Sequence, residues 1–148
     1  MTTAIVATLA AFALAGIVGW ILTARSGRVR EIRSDGGSNG NGGAPEGPDA
    51  GTEDLGLSPT GPTVVHFSAE WCGPCGRVRR VVDQVCGDLP DVGHVEVDIE
   101  ANPGAARRFS VLSLPTTLIF DIHGRLRYRT SGVPKAADLR SALEPLLA

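Results

Sequence analysis

The pentapeptide Trp71-Cys72-Gly73-Pro74-Cys75 constrains this chain more than any other stretch. A β-branched, apolar run (Thr63, Val64, Val65, with Phe67) precedes it, and Val78, Val81, Val82 and Val85 follow at helical spacing. Two cysteines separated by two residues at a strand-to-helix junction can close a small ring. A helix N-terminus at that point supplies backbone N–H groups and a positive dipole end that favour a thiolate. CxxC is also half of a zinc site, so the spacing alone admits redox or metal chemistry. The metal reading would need Cys86 and a distant histidine as further ligands, and no knuckle spacing supplies them. No metal is therefore expected. Three cysteines are too few, and of the wrong parity, for a disulfide-stapled scaffold.

A hydrophobic fraction of 43 % is high for a chain with 19 glycines, and the N-terminus accounts for it. Ala4 to Ala24 is an apolar run interrupted by Thr8, Gly16, Gly19 and Thr23. At its length of about twenty residues it can span a hydrocarbon core as one transmembrane helix, with Trp20 near the headgroups. A cleaved signal peptide would carry a basic n-region, which Met1-Thr2-Thr3 lacks, and the small-x-small triplet Ala13-Leu14-Ala15 falls inside the run. Arg25, Arg28, Arg30 and Arg33 follow the span and none precedes it. The positive-inside bias then places the C-terminal side in the cytoplasm, the extracytoplasmic side being the alternative. A formal net charge of −2 with few aromatics offers no surface for nucleic acid.

Residues 25–61 read as a basic flank and a Gly-rich flexible linker. Between Ser34 and Gly51 no apolar side chain larger than alanine appears apart from Pro45 and Pro48, so nothing offsets the entropy of ordering it. As a coil its reach is on the order of 23 Å. Leu55 and Leu57 are expected to touch the domain. The folded part is expected over 62–148: strand Thr63–Ser68, a helix from about Gly73 to Cys86, strand Gly93–Val97, and a short helix near Pro103–Phe109. Strand Thr116–Phe120, a turn at Asp121–Gly124, strand Leu126–Thr130 and a helix from about Pro134 complete the order βαβαββα.

Three segments carry a resemblance: Phe67 to Cys75, Asp98-Ile99-Glu100-Ala101-Asn102-Pro103-Gly104, and Val111-Leu112-Ser113-Leu114-Pro115-Thr116. Together, with Gly132 before the last helix, they resemble the thioredoxin family at compact spacing. The resemblance covers about 62–148 and leaves the span and linker outside. It implies an α/β thioredoxin fold, a central mixed β-sheet flanked by helices. Cys72 would be the exposed nucleophile and Cys75 the resolving thiol. Pro115 would be a cis-proline opposite the dithiol, and Leu114 would offer backbone hydrogen bonds to a bound polypeptide. Trp71 is expected to line the substrate surface, while Gly73 and Pro74 put no charge between the thiols, as in the reducing members of the family. In that chemistry Cys72 thiolate attacks a substrate disulfide, and Cys75 then releases the reduced substrate and leaves a Cys72–Cys75 disulfide.

The departures bear on proton transfer. His66 stands where thioredoxins usually carry a buried aspartate, and a histidine could take over as general base. Ser68 replaces a common tryptophan, so looser packing is expected. Glu96 replaces a lysine that often pairs with the aspartate, which makes His66–Glu96 a candidate swapped pair. Cys86 is expected as a small core residue, and His94 and His123 have no patterned partner. The expectation is a monomeric, single-pass, membrane-tethered protein-disulfide reductase with no cofactor beyond the redox-active Cys72–Cys75 disulfide. Its partners would be disulfide-bearing proteins and an electron donor such as thioredoxin reductase or a thiol pool. The alternatives are an outward-facing reductase of the cytochrome c maturation type and a non-catalytic interaction module.

Overall fold

The computed structural model describes residues 13–20, 27–32 and 52–148. Five strands form one mixed sheet: β1 (Arg30–Glu31), β2 (Thr63–Ser68), β3 (Gly93–Asp98), β4 (Thr116–Phe120) and β5 (Leu126–Ser131). Their spatial order is β1-β5-β4-β2-β3, with β2 and β3 parallel and the other pairs antiparallel. Three helices accompany them, α1 (Cys75–Asp88), α2 (Pro103–Arg108) and α3 (Ala136–Leu143). The elements expected from 62 onward are all present, with helix and strand ends differing by a residue or two, as fraying ends do.

β2 is central and all six of its residues are buried, which is why it reads as a near-continuous apolar run. Its alternation divides the core. Val64 faces α1 and α3, where it packs with Val78, Val82 and Val85 of α1, Ile119 of β4, and Leu139 and Leu143 of α3. Val65 and Phe67 face the other way, with Val97, Phe109, Leu118 and Phe120. The i, i+4, i+7 spacing of the α1 valines turns one stripe of the helix to the sheet.

The stretch expected as flank and linker departs from that reading at its N-terminal end, while at its C-terminal end Leu55 and Leu57 touch the domain as expected. Residues 27–32 lie along the free edge of β5: Arg30 pairs with Arg129 and Glu31 with Tyr128. Gly27 N–H donates to Ser131 O at 2.7 Å and Ile32 N–H to Arg127 O at 2.8 Å. An exposed strand edge offers unpaired backbone groups, and this segment satisfies them on one side. At the other end, Leu55 is buried in the cluster of Phe67 and Phe120, and Leu57 packs against it. Residues 33–51, the centre of the expected linker, lie outside the described residues.

Of the expected span 4–24, only 13–20 are described, and they are helical. Leu14, Ile17, Val18 and Trp20 in this stretch are exposed. Among the described residues no helix is long and apolar enough to cross a membrane.

Candidate active site

The loop leaving β2 returns at once into α1. Cys72 N–H donates to Ala69 O at 3.0 Å, and Cys75 N–H to Cys72 O at 3.1 Å. Pro74, at φ −73°, stands just before the first residue of α1, where a missing N–H costs nothing. The two cysteines form a disulfide with Cα atoms 5.5 Å apart. They are 8 % and 3 % exposed, so Cys72 is the more open but is far from bare. Ala69, Ile99 and Leu114 pack around them, while Trp71 and Leu112 stand out at 68 % and 93 % exposure. Trp71 Nε1–H donates to Glu100 Oε1 at 3.0 Å, which turns the indole along the rim. Gly73 is exposed with open space around it.

The Leu114–Pro115 bond is cis. Pro115 is buried, and its carbonyl accepts from Gly132 N–H at 2.8 Å, tying the loop to the end of β5. Leu114, Trp71 and the disulfide thus meet at one end of the sheet.

His66 is fully buried. It lies two residues from Val64 on the same face of β2, and so points beneath α1, the helix that Cys75 opens. The next residue, Phe67, places its carbonyl oxygen 3.9 Å from Cys75 Sγ. The His66 ring stacks on His94 with centroids 5.0 Å apart. His66 Nδ1 lies 2.9 Å from His94 Nε2, and His94 Nδ1 lies 2.9 Å from Asp83 Oδ1. With both rings neutral, these contacts set the tautomers. A carboxylate only accepts, so His94 donates from Nδ1 and accepts at Nε2. His66 therefore donates from Nδ1, which leaves Nε2 with a lone pair.

Nε2 makes no hydrogen bond but lies 3.5 Å from Glu96 Oε1. Two acceptors face each other there, so the expected His66–Glu96 pair exists as a contact and lacks a proton between them. Glu96 is held instead by Arg79 Nε–H at 2.7 Å and by Ser68 Oγ–H at 2.7 Å. Ser68, expected to loosen the packing, is buried and hydrogen-bonded. Thr117 stands opposite His66 and Thr130 opposite Thr117, and both buried hydroxyls lack partners. The result is a polar ribbon across the sheet beneath α1.

His94 and Asp83 are the residues that sequence reasoning missed. The signal was present in the pattern. His94 and Glu96 alternate on β3, and a parallel register of Val64 on His94 carries both to the side of His66. His123 lies in the β4–β5 turn, where its N–H donates to Asp121 Oδ1 at 2.9 Å. Cys86 is half-buried at the margin of the valine core; burial, with Asp83 nearby, pushes its thiol up to about 11.

Burial lowers the pKa of His66 from its ordinary 6.5, against the opposing pull of Glu96. The hydrogen bond from Arg79, aided by Ser68 and His66 and opposed by burial, brings Glu96 down from 4.5 to about 2. As pH falls below 6.5 the unfolded chain protonates His66 first, so stability declines from there. The Glu96 contribution is complete above 4.5 and is lost as pH falls towards 2. Asp121 is also depressed: burial raises it, but hydrogen bonds from Arg125, Arg127 and His123 outweigh that, and it adds to the lower limb. Denaturant midpoints measured against pH should fall in two stages. His66→Gln should flatten the upper one and Glu96→Gln should reduce the lower. An unchanged upper stage in His66→Gln would refute the assignment.

A protein-family model described as Thioredoxin matches residues 54–145. A thioredoxin of Mycolicibacterium smegmatis is 38 % identical over 93 residues, which is 61 % of this chain and 83 % of that protein. A thioredoxin of Chlamydia trachomatis is 39 % identical over 61 residues, 41 % of this chain and 60 % of that protein. Among solved structures, the thioredoxin of Fasciola hepatica is 31 % identical with a TM-score of 0.52, and the alignment covers 64 % of this chain and 85 % of that one.

Proposed function

This chain belongs to the thioredoxin family and is a thiol–disulfide oxidoreductase, and from that premise we propose that it reduces protein disulfides while tethered to a membrane. The observation that carries the reading is the Cys72–Cys75 disulfide at the start of α1, beside the cis Leu114–Pro115 bond. Cys72, the more open thiol, attacks a substrate disulfide, whose other sulfur leaves as a thiolate. Cys75 then attacks the Cys72 sulfur, expels the second substrate thiolate and restores the Cys72–Cys75 disulfide. Two electrons pass to the substrate, and a dithiol donor such as thioredoxin reductase or a thiol pool returns them. Gly73 and Pro74 add no charge that would stabilise the thiolate further, which favours reduction over oxidation.

His66 acts as the proton acceptor for Cys75. Its Nε2 lone pair, the Asp83–His94 chain behind its Nδ1–H, and a carboxylate 3.5 Å from Nε2 to stabilise the imidazolium that forms support that role. Trp71, Leu114 and Pro115 form the substrate rim.

The apolar run Ala4–Ala24 and the four arginines after it support a single span with the domain on the cytoplasmic side. β1 alters the geometry of the tether. It starts at Arg30, six residues beyond Ala24 (30 − 24 = 6). That length reaches at most about 20 Å. The domain would therefore sit against the bilayer.

The full-length chain, supplied with reductant, should reduce the interchain disulfides of insulin, and Cys72→Ser should not. Equal turnover by the two would overturn the reading. On intact cells a membrane-impermeant thiol reagent should leave Cys72 unlabelled until lysis; labelling before lysis would place the domain outside.

A further inference from the structure

Residues 27–32 belong to no part of the matched domain, yet they complete a concavity beside its reactive end. A cavity of about 1020 Å³ is bounded by Arg28, Arg30, Arg129 and Glu31 and by Leu114 and Gly132. The strand register sets the side chains. Arg30 stands directly opposite Arg129, and Arg28, two residues away, shares its face. The partner of Arg129 across the sheet is Leu118, which belongs to the Phe67 side of the core, the side of Leu114. Three arginines thus line one concavity beside the loop that carries the cis bond, while Glu31, opposite Tyr128, alternates to the other face of the sheet.

The arrangement is not one that folding alone favours. Like charges directly opposite on paired strands repel. Arg129 donates to Phe109 O at 2.7 Å and Ser110 O at 2.6 Å, neutral acceptors that leave its charge uncompensated. Arg28 and Arg30 have no ion-pair partner among the described residues. Two other arginines behave differently: Arg125, just before β5, and Arg127, within it, both reach Asp121 Oδ2, at 3.3 and 3.2 Å. The segment is also locked in place. Gly27 has φ +88°, and a Cβ there would lie 2.2 Å from Val133 O, so only glycine fits the approach.

We propose that this pocket binds carboxylate side chains flanking the disulfide of a polypeptide substrate, so that the chain prefers disulfides in acidic sequence. This rests on the thiol–disulfide reading above. A polypeptide fits better than an anionic lipid surface because the arginines line a concavity continuous with Leu114 rather than a plane. Their planar donor forks suit carboxylates at short range.

The test uses two disulfide-bonded peptides that differ only in Glu and Asp against Gln and Asn beside the cysteines. With the full-length protein, kcat/KM for the acidic peptide should exceed that for the neutral one by about three- to tenfold, the range for two partly exposed ion pairs. The ratio should shrink as salt rises. It should approach one in Arg28→Gln/Arg30→Gln, and likewise in Gly27→Val, which keeps the arginines but displaces the segment. A wild-type ratio of one, or a ratio that survives both variants, overturns the proposal. So does an effect of the arginines confined to binding of phosphatidylserine vesicles. Failure to reduce either peptide would instead refute the reductase reading.

Discussion

A Cys75→Ser chain will accumulate as a mixed disulfide with its substrate, and its multiple turnover will fall by at least about a thousandfold. Cys72 keeps its position on the tight loop after β2, where its N–H is bonded to Ala69 O, and can still attack. What is lost is the second thiolate, held with its Cα 5.5 Å away, whose attack is effectively intramolecular and so outcompetes outside thiols. The trapped adduct will run as a higher-mass species on non-reducing gels and disappear with dithiothreitol. Cys72→Ser will give neither turnover nor adduct. An adduct formed by Cys72→Ser and not by Cys75→Ser would reverse the roles of the two sulfurs.

Phe67→Ala will cost about 3–5 kcal/mol of stability, a large part of the 5–15 kcal/mol typical of a domain. The Phe67 ring is wholly buried. It lies 6.5 Å from the Phe109 ring, which in turn meets Phe120 edge-on at 5.5 Å. Removing it leaves a cavity at the centre of the α2-side core, where β2 has neighbours on both edges and little freedom to collapse. Because the Phe67 carbonyl also approaches Cys75 Sγ at 3.9 Å, the same substitution loosens the floor of the dithiol. Denaturant unfolding of the oxidised protein measures the loss, and Phe67→Leu should recover most of it. A loss below about 1 kcal/mol would mean the site repacks freely.

Much of the domain was legible in the chain because its signals are local. β2 announces itself by β-branched residues, α1 by valines at one-turn spacing, and the reactive loop by cysteines whose separation suits a ring. Proton chemistry was legible only in part. The replacement of an aspartate by His66 was visible, as was Glu96 opposite it, and this suggested an ion pair. The structure gives the hydrogen bond of His66 to His94 instead, because His94 is one strand-repeat from Glu96 and its ring can stack where the carboxylate cannot. That preference depends on the parallel register of two strands 28 residues apart in sequence (His66 and His94), which no local pattern encodes.

The stretch before the domain shows the same division from the other side. Composition separates an apolar run from a glycine-rich stretch, since neither needs a partner to be recognised. It gave no sign that Arg30–Glu31 would pair with β5, because a strand of two residues has no period and its stability comes from the edge it meets.

The sequence by itself determined the fold, the position of Cys72 and Cys75 on a strand-to-helix turn, and the cis-proline loop opposite. The turn follows from the strand and helix patterning on either side of it, and the fold and the cis-proline were implied by the resemblance that three segments carry to the thioredoxin family. Only the tertiary structure decided what surrounds them: the hydrogen-bond chain from His66 through His94 to Asp83, and Arg28 and Arg30 in the concavity beside Leu114. Hydrogen bonds and like-charge contacts between distant segments exist only once the sheet has set its register.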